Sequence, residues 1–104
     1  MTASSNERLR SALGLAMKAG KVRSGEFAAA KAAKEGKALL AVLDTEASDN
    51  TKKHWSDITE NAGIPLIFAD GVGRAIGREA HMIACVTDRG FANMITAGLN
   101  ENEQ

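Results

Sequence analysis

A chain of 104 residues, 44% hydrophobic and 25% charged, is sized and composed for one globular domain with a modest core. A lone cysteine, Cys85, excludes an internal disulfide and a cysteine metal cluster, and no apolar run is long enough to cross a bilayer or serve as a leader, so the cytoplasm is the expected compartment. Net charge is zero, yet residues 1–53 hold ten Lys/Arg against six acids while residues 54–104 hold three against seven, which predicts one basic face.

Ser4 and Glu7 have capping-box spacing ahead of Leu9, Ala12, Leu13, Ala16 and Met17. The three- and four-residue intervals of these apolar positions predict a first helix over about 6–19, closed by Gly20. Lys21-Val22-Arg23 reads as a short strand or extended link. Ser24 is placed to N-cap a second, alanine-rich helix over about 25–35, with Gly25 and Glu26 in its first turn and Gly36 as its stop. The unpartnered N–H groups of such a helix start attract anions, phosphates included. Lys21, Arg23 and Lys31 flank this one. The alanines can lie against a sheet and leave Lys34 and Glu35 to solvent.

Residues 38–43 form a continuous apolar run of six, the pattern of a strand buried on both faces. A polar loop over 44–51 leads to a third helix at about 50–62, with Trp55, Ile58 and Ala62 inward and Gly63 as its stop. Pro65 precedes a strand at 66–69. The glycine-punctuated segment 71–78 reads as a loop running into a short helix, followed by a buried strand at 82–86. Thr87 or Asp88 caps a last helix over about 89–98 that buries Phe91, Met94, Ile95 and Leu99 in part, and 100–104 is a frayed tail. Strands alternating with helices, without linker or repeat, predict an α/β fold of the three-layer α/β/α sandwich type.

Gly71-x-Gly73-x-x-x-Gly77 superficially resembles a dinucleotide fingerprint. That fingerprint belongs at the first strand of a βαβ unit, and only 27 residues remain after Gly77. These glycines read instead as letting the backbone approach a ligand, with Arg74 and Arg78 beside it. His54 and His81 are isolated, without metal-ligand spacing, and read as structural or solvent-facing. Cys85 reads as a small buried hydrophobe and Trp55 as core. Asp44, Glu46 and Asp49 read as solvated loop acids and helix caps rather than a metal site. No nucleophile–base pair is present, so neither an enzyme nor a cofactor is expected.

From Ser24-Gly25 through Lys31, with Gly36 ahead of the first apolar strand, the chain resembles the kink-turn-binding ribosomal-protein superfamily, the L7Ae/L30e/Gadd45 group, and most of all its bacterial YlxQ-like branch. Four further stretches fit: Leu13-Gly14-Leu15-Ala16 with Ala19-Gly20-Lys21-Val22; Asp49-Asn50-Thr51; Gly73-Arg74-x-x-Gly77-Arg78-Glu79-Ala80; and Val86-Thr87-Asp88-Arg89-Gly90-Phe91-Ala92. Their order and spacing, over roughly residues 9–99, carry the resemblance. It implies a sandwich around a mixed four-stranded sheet that binds a kinked internal loop in RNA. The second helix start would enter the groove, and the glycine loop before the last strand would cover protruding bases. By position, Gly25 would approach the RNA backbone, Lys31 would contact phosphate, and Ala75-Ile76-Gly77 would form the apolar cover. Strong kink-turn binders carry Asn-Glu or a related polar pair where this chain has Phe27 and Ala28, which cannot hydrogen-bond to the edges of sheared G·A pairs. Glu26 and Arg23 substituting, Phe27 stacking on a base, Phe27 tucked into the core, and loss of tight binding all stay open.

The sequence therefore predicts a single domain over 1–104, frayed at about 1–5 and 100–104, acting as a non-catalytic RNA-binding protein near the ribosome or in rRNA maturation. Its expected contacts are Lys21, Arg23, Ser24, Gly25, Glu26, Phe27, Lys31, Arg74, Ala75, Ile76, Gly77 and Arg78. The expected partners are structured RNA, foremost rRNA, and ribosome- or translation-associated proteins, with no membrane. The alternative is a protein–protein adaptor that keeps the fold without kink-turn recognition. An exposed Phe27 in an apolar patch without a basic rim would favour it.

Overall fold

Both faces of the β-sheet are covered, which is why its central strands are apolar without alternation. The computed structural model of the protein describes residues 5–103, with side chains from 7 to 97. In chain order the elements are α1 (Ser5–Lys18), β1 (Val22–Ser24), α2 (Glu26–Lys34), β2 (Leu40–Asp44), α3 (Asp49–Ala62), β3 (Leu66–Ala69), α4 (Val72–Ile76), β4 (Ile83–Val86) and α5 (Arg89–Glu103). The sheet order is β1-β4-β2-β3. β4 runs antiparallel to both β1 and β2, and β2 runs parallel to β3 through the α3 crossover.

The pleat divides the core in two. Leu40 and Val42 of β2, with Ala84 and Val86 of β4, pack under Leu9, Leu13 and Ala16 of α1, Val72 and Ile76 of α4, and Ile95 of α5. Ala41 and Leu43, with Ile83 and Cys85, face α2 and α3 through Ala29, Ala32, Ala33, Trp55 and Ile58. The alanines of α2 bring its backbone close to the sheet. This is the expected α/β/α sandwich with a mixed four-stranded sheet.

Several helix ends follow local chemistry, whereas the starts of α2 and α4 do not. Ser48 Oγ accepts the Thr51 N–H at 3.2 Å to start α3, and Gly63 ends it in the left-handed region. Asp88 Oδ2 accepts the Phe91 N–H at 3.0 Å at the start of α5. Ser24, expected as the N-cap of α2, does not cap it: Gly25 holds that position without a side-chain cap, because the Ser24 hydroxyl is drawn to His81. Ser4, the expected cap of α1, lies outside the described residues.

Two apolar positions expected inside, Ala62 and Met82, are outside, and Met94, expected to be buried in part, is half exposed. Ala62, in the last turn of α3, is exposed beside a shallow groove between α2 and α3. Met94 is 49% exposed, because the inward stripe of α5 runs through Ala92 and Ile95. Met82 precedes β4 and is also exposed. Leu99 lies beyond the described side chains, and residues 100–103, expected as a frayed tail, continue α5.

Candidate functional site

The junction between β1 and α2 is built on Gly25. Its φ of 87° and ψ of 156° lie in a region that is nearly closed to side chains. Its N–H donates to the Ile83 carbonyl at 3.0 Å. A Cβ added here would sit 3.2 Å from Cε1 of the His81 ring, so the ring rests directly against the glycine. The Ser24 hydroxyl and His81 Nδ1 are 2.8 Å apart. His81 is thus structural, and it locks the start of α2 to the loop before β4.

That loop is folded back over Gly73. A Cβ at Gly73 would lie 2.6–2.7 Å from the carbonyl oxygens of Arg78, Glu79 and His81, so no side chain fits there. Asp44 secures the other side of α4: its carboxylate accepts the N–H of Val72 at 3.0 Å and of Glu46 at 2.9 Å. Asp44 is buried in this capping role, whereas Glu46 and Asp49 are exposed.

Beyond the junction, α2 turns Ala29, Ala32 and Ala33 inward and exposes the stripe through Phe27, Lys31 and Lys34. Phe27 is 84% exposed, which excludes the core as its place. With Arg23, Ala28, Lys31, Ala32, Glu35, Lys37 and Thr87 it lines a cleft of about 630 Å³ along the outer strand β1. The Arg23 guanidinium donates to the carbonyls of Val22 at 3.0 Å and Gly20 at 3.2 Å, which holds it along the β1 backbone. Glu26 is engaged too. Its Oε2 accepts the Trp55 indole N–H at 2.9 Å, so one of its carboxylate oxygens is committed within the protein. Lys37 and Thr87 complete the cleft, and neither is among the contacts expected from the sequence. Lys37 was signalled only by following the Gly36 turn, and Thr87 arrives through the pairing of β1 with β4.

The expected contact residues fall into two groups. Lys21, Arg23, Phe27 and Lys31 are exposed on or near the β1–α2 side, with Ser24 and Gly25 half-buried at the junction. Arg74 instead lines a separate depression of about 520 Å³ with Arg10, Asp44, Asp70 and Glu79. Three carboxylates there oppose its use as a phosphate contact. The expected cover of Ala75, Ile76 and Gly77 needs correction. Ile76 is 6% exposed and belongs to the core, Ala75 packs against the same core, and Gly77 ends α4. The residues exposed next to the junction are Arg78, Glu79, Ala80 and Met82.

Burial pushes the Cys85 thiol up to about 12, which removes it as a nucleophile. Among the described residues no group of three or more His, Cys, Asp or Glu is arranged to hold a metal ion, and no helix is long and apolar enough to cross a membrane.

The sequence model for the ribosomal protein L7Ae/L30e/S12e/Gadd45 family matches residues 7–95. The chain is 38% identical over 91 residues to the RNA-binding protein YlxQ of Bacillus subtilis (strain 168), an alignment covering 85% of this chain and 91% of the relative. A solved structure from Bacillus halodurans, described as a protein of unknown function, superposes with a TM-score of 0.82 at 31% identity, covering 89% of this chain and 97% of the other. The Giardia lamblia 15.5kD RNA binding protein shares the fold, with a TM-score of 0.77 at 19% identity over 99% of this chain and 91% of that one.

Proposed function

The chain belongs to the ribosomal protein L7Ae/L30e/S12e/Gadd45 family, and from that premise we propose that it is a non-catalytic RNA-binding protein that holds a kink-turn-like structured RNA, rRNA or another ribosome-associated RNA, against the start of α2. The observation that carries this proposal is the convergence of Arg23, Lys31 and Lys37 on one cleft beside a helix start without a side-chain cap. Phosphates are attracted both by the cations and by the leading amides of the helix. The loop through Arg78, Glu79 and Ala80 takes the place of the cover, since His81 binds it to the junction. The relative from Bacillus subtilis, named for RNA binding, supports the choice of ligand. The rim around Phe27 is basic, which favours RNA over a protein–protein adaptor. The working compartment is then the cytoplasm, with ribosome- or translation-associated proteins as secondary partners.

The test is a titration of a standard kink-turn stem-loop and a fully paired hairpin at two salt concentrations. Preferential binding of the kink-turn at both is the expected result. Equal, strongly salt-sensitive binding would keep RNA as the ligand and remove kink-turn selectivity. No binding to either would return the adaptor.

A further inference from the structure

The side chains at positions 27 and 28 offer no hydrogen-bond donor or acceptor, so this part of the site cannot read base edges. What it offers is a ring. Phe27 is 84% exposed, an unusual state for a large apolar side chain in a chain with 4% aromatic residues. It borders the cleft with Arg23, Lys31 and Lys37 on one side and a shallower depression lined in part by Lys34 on the other. The ring therefore stands open to solvent, with Lys31 and Glu35 lining the depressions on both sides of it and Arg23, Lys37 and Lys34 adding to the positive rim. Glu35 is the lone acid of the cleft, and its carboxylate lies 3.3 Å from the Lys37 ammonium. An apolar face rimmed by cations matches a planar base attached to phosphates, and stacking of this kind tolerates any base because every base has a π-face.

We propose that the Phe27 cleft holds one unpaired nucleobase of the bound RNA, stacked on the Phe27 ring, with the flanking phosphates against Lys31 and Lys37. The proposal rests on RNA being the ligand and adds the feature of the RNA that this site recognises. A fully paired helix keeps its bases stacked on one another and cannot fill the cleft. Residue 27 therefore selects RNAs that carry an unstacked nucleotide.

The test pairs protein variants with abasic substitutions. A kink-turn stem-loop is prepared with each unpaired nucleotide replaced in turn by an abasic residue and titrated with the native protein, Phe27→Ala and Phe27→Trp. Because the side chain is nearly all in solvent, Phe27→Ala is expected to fold, which circular dichroism checks. Phe27→Ala should weaken binding of the intact RNA by roughly 5- to 150-fold. It should cost nothing further on the RNA that lacks the stacked base, and Phe27→Trp should restore binding. If Phe27→Ala costs equally on every RNA, or nothing on any, stacking is overturned while RNA as the ligand stands. If the native protein binds neither RNA, both fall together.

Discussion

The Trp55 indole N–H donates to Glu26 Oε2 at 2.9 Å, tying the buried ring of α3 to the first turn of α2. Trp55 is the only tryptophan of the chain, so its emission reports on the helix start where RNA is proposed to dock. Glu26→Ala leaves the indole N–H without its acceptor and removes an acid from the positive end of a helix. The expected cost is about 1–2 kcal/mol, read from the urea midpoint. Glu26→Gln keeps an acceptor at the same reach and should lose less than half as much. Equal losses in the two variants would mean that the hydrogen bond contributes nothing.

Gly25→Ala meets two obstacles, a φ of 87° and the His81 ring 3.2 Å from the new methyl group. Forcing a side chain into that backbone region costs about 1–3 kcal/mol, and the ring must also move from Ser24. The variant should unfold at lower urea and bind RNA more weakly, since the loop before β4 is no longer held. His81→Ala removes the ring contact but not the backbone strain, and by itself costs the Ser24 hydrogen bond, so Gly25→Ala should cost less when made in the His81→Ala background than in the native protein. No cost of Gly25→Ala in that background would place the whole effect on the ring, and an undiminished cost would place it on the backbone.

The fold was legible because its signals are local. The apolar run at 38–43 and the glycine stops each act within a few residues, and the pleat of β2 then divides its side chains between the two layers. The site depends on contacts between residues far apart in the chain. Ser24 has the chemistry of an N-cap, but His81, 57 positions later, takes its hydroxyl. Trp55 reaches Glu26 across 29 positions. In α4 the readable signal was the four-residue spacing of Val72 and Ile76, which turns both toward the core. In α2 a nearly unbroken run of alanines marks no apolar stripe, so the place of Phe27 stayed open in the sequence; the burial of 29, 32 and 33 in the fold is what puts 27, 31 and 34 on the exposed face.

Cys85 gives a prediction on the alkaline side. Its thiol would ionise near 9.0 in the unfolded chain, but burial holds it protonated to about 12 in the fold. Between those values the unfolded chain binds fewer protons, so stability falls as pH rises; below the lower value this contribution is level. The urea midpoint of the native protein should therefore drop above pH 9.0 more steeply than that of Cys85→Ala. Parallel decline in both would assign the alkaline loss to other groups. Near neutral pH a thiol reagent should modify Cys85 only as fast as the protein opens.

Lys31 is the sharpest test of the electrostatic part of the site. It is exposed on α2 and borders the Phe27 ring on both sides, whereas Lys53 on α3 is exposed, lies 3.8 Å from Asp57 and lines neither depression beside the ring. A cation that neutralises one phosphate contributes about one unit to the slope of log affinity against log salt. Lys31→Ala should flatten that slope by roughly this amount and weaken binding to kink-turn and paired RNA alike, because a phosphate contact carries no sequence information. Lys53→Ala should leave both slope and affinity unchanged. An unchanged slope in Lys31→Ala would remove Lys31 from the phosphate contacts. A loss confined to the kink-turn would instead mean that Lys31 touches a feature found only in the bent RNA, so the same titration separates positioning by charge from recognition of shape.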